Sequence, residues 1–330
     1  MSHLSNLESL KKSVESVLDL EKKSYAADLD QLACIIVSGK DARSFLQGQV
    51  TCDMNSINQQ RSLPGAHCTN KGRVVFTFRA IELPNTSENN SHEQEIALII
   101  PSELIETAVN TLSKYIVFSK ATIRLAEDIK ILGIFGKGVP EIIEASRKSI
   151  ADPQKTSALS ISDNQTMLLI QKNDVDQLFA SDESVIQTDF SKWQLANIRN
   201  GIAEVYDGAS ELFLPQMLNF DNNEGISYKK GCYTGQEIVA RMHHKGKLKR
   251  HLRRASLEHC KSGPTPGKDL YTDQSAQSIG HIVISAPVGP DSFETLIVAT
   301  DETFDAQKIY LDQEKTIKLH PLPLPYAINN

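Results

Sequence analysis

Apolar and polar positions recur with two different periods along this chain. Leu4, Leu7, Leu10, Val14, Val17 and Leu18 fall at helical spacing, which predicts an amphipathic N-terminal helix within residues 1–24, packed on the body of the protein. The run L-A-C-I-I-V-S-G-K from Leu32 reads as a strand ending at Ser38-Gly39, and Asp41 is placed to cap a helix that starts near Ala42. Residues 66 to 81 read as a hairpin, with Asn70-Lys71-Gly72 as the turn. The polar stretch over 84–92 predicts a loop. A strand E-I-A-L-I-I-P follows, and Ser102 opens a helix through Leu112.

Further strands are predicted at 129–136 and 165–171, with a helix over 139–149 between them. Short strands alternating with single helices indicate an α+β fold built from antiparallel modules of the split β-α-β kind. The pattern changes after Gly246. Beyond it, short strands are separated by S-G-P-T-P-G, D-Q-S-A-Q-S and A-P-V-G-P-D, with no helix, as in a small β-barrel or sandwich over 246–330. The end, L-H-P-L-P-L-P-Y (319–326), cannot be helical and is expected to lie extended on the surface.

With 330 residues, 40% hydrophobic and 23% charged, the chain has enough apolar material for two or three packed domains. No apolar run reaches the roughly 18 residues of a membrane-spanning helix, and the first dozen residues mix charge with leucine, so neither a membrane partner nor a secretory signal is expected. The five cysteines are scattered, odd in number and without a C-x-x-C pair. That argues against a disulfide framework and a zinc site, and makes a cytoplasmic location the expectation. A net charge of −6 argues against general affinity for nucleic acid.

The informative stretch is Ser227 to Arg254. Thr234 and Glu237 have capping-box spacing, so a helix is expected from Gly235 to about Lys245, stopped by a left-handed Gly246. Cys232 then lies just ahead of the positive helix end, beside Lys229 and Lys230, where thiolate is favoured over thiol. Gly231 leaves room for a group to approach that sulfur. The alternative is an inert cysteine buried at a strand-to-helix corner. After the helix comes a basic run, Arg241, Lys245, Lys247, Lys249, Arg250, Arg253 and Arg254, with no acidic residue between Glu237 and Glu258. It suits phosphate or carboxylate groups, although such runs are often one solvated face. His243 and His244 are adjacent, point differently and make a poor metal pair.

Lys230, Gly231, Cys232, Tyr233, Thr234, Gly235, Gln236 and Glu237, followed by Ala240 and Arg241, resemble the signature of the YgfZ family of folate-binding relatives of the glycine-cleavage aminomethyltransferase. Further landmarks fall in order: L-Q-G-Q-V-T-C-D (46–53), A-H-C-T-N-K-G-R (66–73), K-Y-I-V-F-S-K (114–120), I-S-Y-K-K (226–230) and the final P-L-P-Y. The resemblance implies an aminomethyltransferase-like three-part ring. Two interleaved ferredoxin-like modules would occupy 25–245, followed by the C-terminal β-barrel, with folate (tetrahydrofolate or a derivative) in the central channel. It also implies support for iron–sulfur enzymes, including radical enzymes that thiolate tRNA, with Cys232 as the functional thiol.

Two departures qualify what is carried over. Where the transferases hold an acidic residue after the hairpin turn, this chain offers Phe76 and Thr77, which disfavours aminomethyl transfer. Where relatives carry an acid to pair with the pterin, the run is I-R-N-G, with Arg199 in its place. Either Arg199 turns to the glutamate tail of folate, or another acid such as Glu204 substitutes. Trp193 is placed to stack on the pterin or to anchor the core, and a second expected aromatic is replaced by Leu32. The reading preferred on these grounds is a folate-binding accessory factor for iron–sulfur enzymes of tRNA modification. A one-carbon transferase and a tRNA-binding module using the basic run are the alternatives.

Overall fold

The computed structural model describes residues 18–84, 94–149, 156–177 and 184–328. The helix expected within 1–24 lies outside these residues except for its end, where residues 20–22 form a turn, and the 84–92 loop lies outside them beyond Pro84. Strand β1 (Ser24–Asp28) opens a first sheet, which the chain then leaves to build a second one in full. That second sheet consists of β2 (Leu32–Gly39), β3 (Leu63–Cys68), β4 (Val74–Glu82), β5 (Gln94–Pro101) and β6 (Thr122–Leu125), in the order β3-β4-β5-β2-β6. Helices α1 (Ala42–Gln47) and α2 (Ile105–Ile116) cover one face.

Strand β2 explains why its sequence is a continuous apolar run rather than an alternating one. Ile35 and Val37 enter the core under α1 and α2, whereas Cys34 and Ile36 enter the large core shared with the rest of the molecule. Both faces of the strand are buried, so both registers must be apolar. The cap expected from Asp41 takes another form. Its carboxylate accepts from the Lys120 main-chain N–H at 2.8 Å and makes no bond to α1.

The chain returns to the first sheet with β7 (Ile129–Gly136), α3 (Val139–Ser149), β8 (Ser157–Ser162), β9 (Gln165–Gln171) and β10 (Val185–Thr188), giving the order β10-β1-β7-β9-β8. Pairing is antiparallel except between β1 and β10, which run parallel, contrary to the wholly antiparallel expectation. A crossover rather than a hairpin brings β10 to that edge, and a crossover delivers a strand in the same direction.

Helix α4 (Phe190–Asn200) joins the parts. Asp189 caps it through the Ser191 N–H at 2.9 Å, and Gly201 ends it at φ 66°. Its Trp193 packs over Gly133 of β7, where a Cβ would stand 2.4 Å from the indole ring. After α5 (Gln236–Lys245) the strands β11 (Arg250–Leu257), β12 (Asp269–Thr272), β13 (Ser275–Gly289), β14 (Ser292–Thr300), β15 (Ile309–Tyr310) and β16 (Lys318–Leu322) close a barrel in the order β11-β14-β13-β12-β15-β16. Closure leaves no free sheet edge there.

Two details differ from expectation in this region. A short helix, α6 (Asp301–Asp305), follows β14, with Asp301 and Glu302 in its first turn, where carboxylates suit the positive helix end. The C-terminal segment is not all surface coil: residues 318–319 pair with β15 and 320–322 with β11, and Tyr326 Oη donates to Gly201 O at 2.7 Å, which fastens the tail to the end of α4. No helix among the described residues is long and apolar enough to cross a membrane.

Candidate functional site

The segment 225–237 is held against two distant parts of the second sheet. Ser227 N–H donates to Thr51 O at 2.9 Å, and Thr51 Oγ1 donates to Gly225 O at 2.6 Å. Arg61 Nη2 reaches both Glu224 carboxylate oxygens at 2.8 Å. Lys230 Nζ donates to the carbonyls of Val50 and Cys52, both at 2.7 Å, and lies 5.1 Å above the Tyr233 ring. Burial of the ammonium disfavours its charged form and draws the Lys230 pKa down to about 8. Lys230 is therefore occupied as a clamp, while Lys229 stays in solvent.

The turn that delivers α5 is fixed by glycine. Gly235 is its N-cap at φ 82°, and a Cβ there would meet Thr69 O at 2.4 Å and Gly72 Cα at 3.1 Å. Only glycine fits both the conformation and the contact. The capping box expected from Thr234 and Glu237 is absent. Thr234 Oγ1 instead donates to Gln49 Oε1 at 3.4 Å, and Glu237 is exposed. Gly246 ends α5 with φ −89°, not in the left-handed region; its need for glycine comes from the Met242 main chain, whose O would lie 2.7 Å from a Cβ. The landmark stretches 46–53, 66–73 and 230–237, far apart in sequence, thus meet in one place.

At the tip of this loop Cys232 is exposed, whereas the other four cysteines are buried. A Cβ on Gly231 would meet nothing within 4 Å, so the main chain beside the sulfur is open. Burial pushes the thiols of Cys34, Cys52 and Cys68 up to about 12. Tyr233, next in the chain, turns inward, and its hydroxyl is buried without a hydrogen-bond partner among the described residues. Gln236 is half-buried and Arg241 exposed.

The residues read as folate contacts lie elsewhere. Trp193 is fully buried, edge-on to Phe135 with centroids 5.6 Å apart, and stacking on a pterin would require it to leave that contact. Leu32 is part of the same core. Arg199 donates Nε and Nη2 to Glu294 of β14 at 3.2 and 3.0 Å, and Nη1 to Leu18 O at 2.8 Å, so its guanidinium ties α4 to the barrel. Phe76 is buried on His67, and Thr77 Oγ1 accepts from Val205 N–H at 2.9 Å.

Between the two sheets and α4 lies a small cavity, about 30 Å3, lined by Thr77, Phe78, Arg79, Asn197 and Glu204 among others. Burial lifts the Glu204 carboxyl to about 7, opposed by the Tyr206 hydroxyl, which donates to it at 3.3 Å, and by the Arg79 charge. Burial likewise lowers Arg79 to about 10. Arg79 was missed in the sequence reading; its signal is a lone charge in the apolar run V-V-F-T-F-R-A-I. The Glu204 carboxylate can accept from the N–H groups of a pterin amidine edge, while the Arg79 guanidinium can only donate, to a ring oxygen or nitrogen, and the Asn197 amide can do either. The void itself holds about one water, so a ring enters only if the lining side chains move apart. No group of three or more His, Cys, Asp or Glu among the described residues could hold a metal ion.

No protein-family model matches the chain. It is 35% identical over 239 residues to the tRNA-modifying protein YgfZ of Colwellia psychrerythraea, covering 70% of this chain and 71% of the relative. It is 29% identical over 313 residues to the protein of the same name from Aliivibrio fischeri strain MJ11, covering 92% and 93%. In structure it is similar to the glycine cleavage system aminomethyltransferase T of Bartonella henselae, with a TM-score of 0.67 over 93% of this chain and 87% of that one. At 11% identity that likeness establishes the fold alone, an aminomethyltransferase-like α+β architecture.

Proposed function

The chain belongs to the YgfZ family, and from that premise we propose that it is a cytoplasmic folate-binding accessory protein supporting the maturation or repair of iron–sulfur enzymes, and through them tRNA thiolation. The observation that carries this reading is Cys232, exposed at the tip of a loop clamped by Lys230 and Gly235. A thiol held rigidly and left reachable suits transient contact with a sulfur, an iron or a one-carbon unit on a partner. Its partners would be the iron–sulfur enzymes themselves, including the radical enzymes that modify tRNA.

Folate is assigned to the cavity of Glu204, Arg79 and Asn197. Glu204 and Arg79 would hold the ring edge, and Phe78 would lie beside it. When bound, folate would supply a one-carbon unit or a redox-active ring; the chain's own residues orient it and exclude water. The test has two parts. Cys232→Ser, supplied to cells lacking the native copy, should fold and yet fail to restore thiolated tRNA; full restoration would remove the role given to the sulfur. Calorimetric titration with tetrahydrofolate and its formyl and methyl derivatives should show binding that Glu204→Gln weakens at least tenfold.

One observation favours a second reading, a folate-dependent one-carbon transferase. Glu204, with its carboxyl near 7 beside the cavity, is placed to accept and return a proton at neutral pH. Turnover of a tetrahydrofolate derivative by the purified protein alone, lost in Glu204→Gln, would establish it.

A further inference from the structure

The basic run after α5 does not act as one surface. His251 Nδ1 lies 2.9 Å from both Asp301 carboxylate oxygens, Arg253 Nη2 lies 2.8 Å from Asp301 Oδ1, and Arg254 Nε donates to Glu294 at 3.0 Å. Three groups of the strand half of the run, His251, Arg253 and Arg254, are thereby paired with acids of β14 and α6. Arg241, Lys245, Lys247 and Lys249 are exposed and, among the described residues, carry no ion pair.

One of these free cations, Lys247, lines a cleft of about 850 Å3 between the end of α5, the 216–222 segment and the barrel. That volume lies within the range of small-molecule sites. Its lining combines three kinds of group. His243 stacks on Tyr228, with centroids 3.7 Å apart and planes within 12°, meets the His244 ring edge-on at 4.8 Å, and is an exposed residue. Asp221, which accepts from Tyr228 Oη at 3.1 Å, and Asp305 supply carboxylates. Lys247 adds positive charge. Aromatic face, acceptor pair and cations in one concavity match a nucleotide: a ring to stack, N–H groups to donate and a phosphate to neutralise. A ligand that is only anionic, such as a polyglutamate, would face Asp221 and Asp305 with nothing to donate.

We propose that this cleft is a nucleotide subsite for single-stranded RNA. A base stacks on the face of His243 turned away from Tyr228, its N–H edge meets Asp221, and a flanking phosphate meets Lys247, which has the exposed Lys245 and Lys249 two residues to either side in the chain. A carboxylate accepts best from two adjacent N–H donors, so guanine is preferred over uracil. The proposal goes beyond the functional reading above, which reaches tRNA only through partner enzymes, and it requires neither folate nor Cys232.

Fluorescence anisotropy of the full chain, without folate or partner enzymes, tests it with a labelled 12-nucleotide oligouridine and the same oligomer carrying central guanines. The guanine oligomer should bind more tightly. His243→Ala should weaken it about tenfold, and Lys247→Ala should lower the salt slope by about 0.7. Asp221→Asn should abolish the preference for guanine. The remote substitution Lys137→Glu should leave binding within about twofold, and melts matching the wild type certify folding of each variant. Equal loss in Lys137→Glu and Lys247→Ala, no effect of His243→Ala, or displacement of the RNA by tetraglutamate at equal concentration would each overturn the subsite. Because Cys232→Ser should bind RNA unchanged, failure here and failure of the thiol role are read separately.

Discussion

The ammonium of Lys230 is bonded to the main-chain oxygen of Cys52 at 2.7 Å, so the residue two positions before Cys232 is fastened to the sheet while Cys232 itself stands in solvent. A fixed base and a free tip let a loop present a side chain in one place without ordering cost at each encounter. Lys230→Ala leaves the Val50 and Cys52 carbonyls without that partner and should cost about 1–3 kcal/mol in urea unfolding. A midpoint unchanged from wild type would show that the clamp does not hold the loop.

Gly235→Ala should be costlier than an ordinary surface substitution. The new Cβ combines φ 82° with a contact to Thr69 O at 2.4 Å, both involving main chain that cannot swing away. The expected loss is about 2–4 kcal/mol by chemical denaturation.

Thiol titration separates Cys232 from the rest. In the native protein one equivalent should react quickly with an aromatic disulfide reagent and none should in Cys232→Ser. The remaining four cysteines, all buried, should react only after unfolding. Fast reaction of a second thiol would mean that the core opens readily.

Arg199 and Glu204 should part company. Arg199→Ala breaks the tie to Glu294, a carboxylate that Arg254 also holds, and should cost about 1–3 kcal/mol while leaving folate affinity unchanged. Weaker folate binding in Arg199→Ala at unaltered stability would return Arg199 to the ligand.

Stability should carry the imprint of Glu204. Its carboxyl is raised to about 7 by burial, against roughly 4.3 in an unfolded chain. A group raised on folding gives its full contribution below the unfolded value and loses it as pH rises through the folded one. Wild type should therefore lose on the order of 1 kcal/mol relative to Glu204→Gln between about pH 4.5 and 7, the carboxyl being partly screened. Urea midpoints measured at unit intervals of pH check this; a constant difference would remove the burial.

Much of the fold was legible from residue patterns alone. The continuous apolar run of β2, the Asn70-Lys71-Gly72 turn and the change to short strands after Gly246 each mark a local preference that tertiary packing reinforces. Caps were read less well. Asp41 and Thr234 have side chains that bond to a helix end or to any nearby donor or acceptor, and here Lys120 and Gln49 compete successfully. The parallel edge strand β10 was also hidden, since strand direction belongs to the connection and not to the strand.

By itself the sequence determined which residue types are clustered: an α+β chain with a terminal barrel, one cysteine among lysines and glycines, and a cationic run after a short helix. Which of those groups are free was decided only by the tertiary structure. Burial and pairing depend on neighbours remote in the chain. Val50 and Cys52 claim Lys230, Glu294 claims Arg199, Asp301 claims Arg253, and Cys232 and Lys247 are left to the solvent.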